Sequence, residues 1–92
     1  VTGLTKAAAV DGARLNPKIR VNSLHPGVTW TPMLTGVFGE HASGDALFGA
    51  DTPLRRVGRP EEMADAVVFL LSDESAYMTG AELTVDGGRG AD

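Results

Sequence analysis

The 92 residues contain no cysteine, a single tryptophan, a single tyrosine, and no apolar run near the ~20 residues that span a bilayer. Each absence removes a class of function. Without cysteine there is no disulfide, no thiolate metal site and no thiol nucleophile. Without a long apolar run or a signal-peptide pattern, the expectation is a soluble, cytoplasmic chain with no membrane partner. Positive charge is scarce too: eight Lys and Arg stand against twelve Asp and Glu, a net charge of −4. A surface that tracks a phosphate backbone needs a concentrated positive field, so nucleic acid is not expected as a partner. Arg55, Arg56 and Arg59 lie close together, but Asp51, Glu61 and Glu62 flank them, and the group reads as a solvated or locally paired cluster. There is no internal repeat, and no metal site is expected.

What is present reads as helix, strand, long irregular segment, helix, strand. Residues 1–15 read as a helix, with Val1, Leu4, Ala8 and Leu15 at helical spacing. Gly3, Ala7, Ala8, Ala9, Gly12 and Ala13 spread small residues over several of its faces, which predicts close packing on more than one side. Asn16-Pro17 stops it. Residues 19–24 alternate as a short strand ending at His25-Pro26-Gly27. Residues 29–53 are rich in breakers yet carry Met33, Leu34, Val37, Phe38, Leu47 and Phe48, the pattern of a binding lid with one or two short helical turns. Residues 60–72 form the clearest helix: Pro60 suits the first position, Glu61 and Glu62 suit the positive end of the dipole, and the body is apolar nearly all round, which predicts wide burial. Residues 82–86 make a second strand, and Gly87-Gly88 release the chain.

A strand–helix–strand crossover of this length implies a parallel sheet with a right-handed connection. Two parallel strands are not a stable sheet by themselves, because their outer edges stay unpaired and both faces need cover. The chain opens on Val1-Thr2, without an initiator Met, in what reads as helix interior. The expectation is a part of a larger α/β protein.

Four blocks then carry a resemblance: Ile19-Arg-Val-Asn-Ser-Leu-His-Pro-Gly27, Thr31-Pro-Met33, Arg56-Val-Gly-Arg-Pro-Glu-Glu62, and Thr79-Gly-Ala-Glu-Leu-Thr-Val-Asp-Gly-Gly88. In this order and spacing they resemble the C-terminal third of the short-chain dehydrogenase/reductase family, and within it most resemble bacterial 3α/20β-hydroxysteroid dehydrogenases. The resemblance implies a C-terminal piece of a Rossmann-type, doubly wound parallel sheet, with residues 1–92 as part of one domain and the nucleotide-binding part outside the chain. It implies NAD or NADP as cofactor. The family's catalytic Ser and its Tyr-x-x-x-Lys pair have no match here, so no catalytic residue is assigned: Lys6 has no Tyr four residues before it, and Tyr77 has no Lys four residues after it.

For the residues that do match, the resemblance implies cofactor binding by Pro26, Gly27, Thr29, Thr31 and Met33. Gly27 would permit close backbone approach to a flat ring, and backbone groups near Thr29, with the Thr31 hydroxyl, would hold the nicotinamide carboxamide. Thr29 departs from the branched aliphatic residue usual there, a change that a backbone contact survives. Trp30, Leu34, Val37 and Phe38 are the expected substrate lid, Trp30 standing as either a pocket wall or a packing residue. His25 reads as structural and His41 as solvated. One carboxylate at Asp86 falls far short of a Ca²⁺ shell. The last strand and the 60–72 helix would meet another subunit in a homo-oligomer, a dimer or tetramer. The expected reaction interconverts a carbonyl and an alcohol on a small apolar substrate, with this segment inactive alone. The rivals are a 3-oxoacyl carrier-protein reductase of the same family and a non-catalytic assembly module.

Overall fold

A computed structural model describes residues 2–91, apart from the side chains of 41–43. The order is α1 (Thr2–Ala13), β1 (Ser23–Pro26), α2 (Pro32–Phe38), α3 (His41–Phe48), α4 (Pro60–Leu71) and β2 (Glu82–Val85), with single 3₁₀ turns at Gly49–Asp51, Asp73–Ser75 and Arg89–Ala91. β1 and β2 pair in parallel, with Ser23 beside Glu82 and Pro26 beside Val85, so the crossover read from sequence is the one that forms.

β1 is shorter and later than the alternation at 19–24 suggests. The ladder begins only at Ser23, because Val21 spends its amide on the Thr79 hydroxyl (3.1 Å) while its carbonyl accepts from Gly80 (2.7 Å). Pro26 is tolerated inside the strand for a directional reason. Ser23 and Gly27 donate to Ala81 and Val85 (3.0 and 2.9 Å), so with a period of two the missing N–H of Pro26 faces away from β2.

α1 corrects the apolar stripe. Val1 lies outside the described residues, Leu15 falls beyond the helix, and Leu4 is exposed, whereas Thr5, Ala9 and Gly12 are buried. The face that packs is the one that lets backbone approach: a Cβ on Gly12 would sit 2.6 Å from the Ile19 carbonyl oxygen. α4 corrects the expectation of wide burial. None of its residues is fully buried, and Val67, Val68 and Leu71 stand in the open, Leu71 at 79% exposure. Its C-terminal end is nonetheless well finished. The Arg20 guanidinium donates to the carbonyls of Leu70 (2.8 Å) and Ser72 (3.3 Å), filling acceptors the helix leaves over, and to that of Met78 (3.1 Å) in the connection that follows.

The 29–53 segment differs most from its reading as mainly irregular, since two helices and a 3₁₀ turn occupy most of it. Thr31 and Pro32 start α2 as N-cap and first residue, the Thr31 hydroxyl accepting from Leu34 N–H at 3.4 Å. Tertiary packing holds the rest. Trp30, 4% exposed, has Phe38 and Phe48 at ring-centroid distances of 6.2 Å, and these two meet edge to face at 6.0 Å.

The whole is loose for its length. The radius of gyration is 15.9 Å, where a compact domain of this size has about 12 Å. The accessible surface is 6271 Å², against about 5100 Å² for a folded chain of this mass. Exposed apolar side chains on α1 and α4, such as Leu4, Val10, Val68 and Leu71, contribute to the excess, as do Met33 and Val37 on α2. Among the described residues, no helix is long and apolar enough to cross a membrane.

Candidate functional site

The carboxyl ends of β1 and β2 lie side by side, and their exit turns form the site. After β1 the chain makes one isolated parallel bridge, Thr29 to Gly58. Gly58 supplies both bonds of that bridge: its N–H donates to the Val28 carbonyl (2.8 Å) and its carbonyl accepts from Trp30 N–H (2.9 Å). The N–H and C=O of Thr29 consequently point the other way and have no hydrogen-bond partner among the described residues. The Thr29 hydroxyl donates back to the Gly27 carbonyl at 3.2 Å, which stiffens the turn. Two residues on, the half-buried Thr31 hydroxyl accepts from Leu34 and keeps its own hydrogen available.

Gly27 also serves a purpose that the sequence reading did not identify. A Cβ there would lie 2.8 Å from Asp86 Cα, so glycine is required for the two exit turns to pass each other. Asp86 closes the second turn, its carboxylate accepting from the amides of Gly88 (3.0 Å) and Gly90 (2.8 Å). His25 Nε2 lies 2.8 Å from the Ser23 hydroxyl, a partnered side chain beside the turn, as expected of a structural histidine. His41 belongs to α3, and its side chain lies outside the described residues.

The predicted lid residues separate into two groups. Trp30 and Phe38 come together in the aromatic cluster, with Trp30 Nε1 donating to the Gly39 carbonyl at 3.3 Å, so within this chain the Trp30 ring packs against the lid helices. Gly44 of α3 is what admits its ring, since a Cβ there would lie 2.4 Å from it. Leu34 is half-buried, while Met33 (75%) and Val37 (70%) present apolar surface on the outside of α2.

The basic cluster is paired, and more specifically than its flanking acids suggest. Arg56 forms a two-pronged pair with Glu62 (2.6 and 2.7 Å). That guanidinium, helped by Arg59 N–H at 2.9 Å, holds the Glu62 carboxyl well below its ordinary value, at about 2. Arg59 reaches instead to Asp45 of α3 (3.3 Å). Arg55 donates to the Ala50 carbonyl at 2.7 Å. Asp45 escaped the sequence reading, because a lone Asp fourteen positions from its arginine carries no local signal. A cavity of about 90 Å³ lies beneath, lined by Val28, Thr52, Arg56, Val57, Met63 and Val85 among others. Among the described residues, no three His, Asp or Glu side chains gather as a metal site.

A family model described as enoyl-(acyl carrier protein) reductase matches residues 1–89. The chain is 51% identical over 84 residues to a cyclopentanol dehydrogenase of Comamonas sp. (strain NCIMB 9872), covering 91% of this chain and 32% of that protein. It is 46% identical over 87 residues to a cyclohexanol dehydrogenase of Acinetobacter sp. (strain SE19), covering 95% and 32%. The NADPH-bound structure of a short-chain oxidoreductase from Pseudomonas aeruginosa PAO1 superimposes with a TM-score of 0.82 at 31% identity, over 95% of this chain and 34% of that one. The chain thus spans about a third of the length of the proteins it matches, and its two-stranded α/β piece is part of a Rossmann-like fold. Matched along nearly its whole length, the chain belongs to the short-chain dehydrogenase/reductase family.

Proposed function

We propose that this chain is the C-terminal third of an NAD(P)-dependent oxidoreductase that interconverts a cyclic secondary alcohol and its ketone. One observation carries this reading: the unpaired N–H and C=O of Thr29, beside the Thr31 hydroxyl, at the carboxyl end of a parallel strand. A carboxamide offers one acceptor and one NH₂ donor, and these backbone groups supply the complementary pair. The residues present therefore suit a nicotinamide. When bound, that ring supplies or accepts the hydride. Thr29 and Thr31 fix which face of it meets the substrate, Pro26 and Gly27 place the turn, and Met33 opens the apolar helix that covers the substrate. The proton of the alcohol would be moved by the family's tyrosine, outside this chain, so these residues alone have no turnover.

The substrate class rests on the lid. α2 offers Met33 and Val37 outward, with no charged side chain on the helix, and the two relatives named for cyclic alcohols are the right chemistry for such a surface. Hydroxysteroids are the larger members of the class. The acyl-carrier-protein reading has the family model's description in its favour. It needs cations at the pocket mouth; Arg56 and Arg59 are engaged by Glu62 and Asp45, and Arg89, beside Pro26 and Gly27, is the side chain that reading would use. The exposed Val67, Val68 and Leu71 of α4 suit the subunit contact of a homo-oligomer.

The test is carried out on the full-length protein, with NADH and NADPH against cyclopentanone, cyclohexanone, a 3-ketosteroid and an acetoacetyl thioester. Turnover of the cyclic ketones is expected. Thr29→Ala should change little, because the contact is through the backbone. Thr31→Val should weaken cofactor binding about tenfold, the worth of one hydrogen bond of about 1–1.5 kcal/mol. Preference for the thioester would establish the rival, and absence of both dinucleotide binding and the Tyr-x-x-x-Lys pair would leave an assembly module.

A further inference from the structure

We infer that Asp45, on the lid, is a positioning residue for the cofactor turn: it couples the seating of α3 to the placement of Thr29. The coupling runs through one short segment. Asp45 Oδ1 accepts from the N–H of Val57 at 3.0 Å, and the carboxylate takes the Arg59 guanidinium at 3.3 and 3.4 Å. Arg59 Nη1 turns back to donate to the Val57 carbonyl at 2.7 Å. Val57 is 1% exposed; its N–H is satisfied by this carboxylate, and its carbonyl by Arg59 together with Arg56, whose Nη1 donates to it at 3.2 Å. Between Val57 and Arg59 lies Gly58, whose N–H and C=O hold Val28 and Trp30 and so turn the backbone of Thr29 outward.

The neighbouring lid helix has no such tie. The bonds of α2 stay local: Thr31 to Leu34 and Thr35, Gly39 to Thr35 and to Trp30. Its ring contacts run through Phe38 alone. α3 is thus the half of the lid that can report to the turn. Lifting it strips a buried N–H of its acceptor, takes one carboxylate away from the Arg59 guanidinium, and loosens the segment that presents Thr29.

This inference rests on the proposed role of Thr29, and the experiment separates the two. Binding of NADH and of ADP-ribose, which lacks the nicotinamide, is measured on the full-length protein and its Asp45→Ala and Asp45→Asn variants. The variants are compared at a temperature where circular dichroism shows them folded. Asp45→Ala should weaken NADH about tenfold and leave ADP-ribose unchanged. Asp45→Asn, which keeps an acceptor for Val57 and loses only the charge, should weaken NADH about threefold. A merely structural residue would move both ligands together, and that result, or unchanged NADH binding, overturns the inference. Should the Ala variant fail to fold, the Asn variant decides by the same criterion. If the wild-type protein binds NADH no better than ADP-ribose, the role of Thr29 fails, and the inference with it.

Discussion

The lid and its base, residues 30–63, are organised differently from the two framework helices α1 and α4. In the first region the polar and aromatic groups find partners within the chain: three aromatic rings in mutual contact, a two-pronged ion pair, a carboxylate on a buried amide, and neighbours in the space a Cβ would take at Gly44 and Gly49, while Met33, Val37 and Leu54 stay exposed. In the second, apolar side chains at Leu4, Val10, Val68 and Leu71 face outward. Polar and aromatic contacts of defined geometry let a small region complete itself. Aliphatic helix faces are non-directional and need a large surface to bury against. The functional half is therefore held mainly by contacts within this chain, and the framework half by whatever covers it.

That contrast can be broken most severely at Trp30. Replacing it with Ala in the full-length protein should cost about 3–5 kcal/mol in urea unfolding, since it empties the centre of the aromatic cluster. Gly44→Ala attacks the same contact from the other side and should cost about 1–3 kcal/mol by overpacking the indole ring. An unchanged midpoint for either would mean that the lid is not organised around the indole.

The framework is tested at Leu71. Exposed as it stands in this chain, it should tolerate Ser within about 0.5 kcal/mol. In the full-length or oligomeric protein we expect a loss of about 2 kcal/mol, the signature of an aliphatic side chain that other residues bury.

The smallest effect belongs to Glu62→Gln. The pair with Arg56 is more than a third exposed on both sides, so screening holds its worth to about 1 kcal/mol or less. Its pH dependence has a definite sign. Glu62 titrates near 2 when folded and near 4.5 when free, so the stabilisation is complete above pH 4.5 and disappears as pH falls through about 2. The stability difference between wild type and the Gln variant should close over that window.

Sequence alone determined much of this. Pro60 with Glu61 and Glu62 marked the start of α4, and the spacing of the two strands their parallel pairing, because those signals act within a few residues or through chain connectivity; Asn16-Pro17 marked the end of α1 only to within a few residues, since the helix stops at Ala13. The family was legible in the same local blocks, and the turn at Pro26–Thr31 with it. Tertiary structure decided which face of α1 packs, since close backbone approach at Gly12 outweighs the pull of Leu4. It decided that the 29–53 segment is helical, since the rings that stabilise it meet only after folding. It also gave Gly27 its partner in Asp86 and Asp45 its partners in Val57 and Arg59. These are contacts between residues seven to fifty-nine positions apart, beyond the reach of a helical turn or strand alternation, and only the folded backbone brings donor, acceptor and ring together.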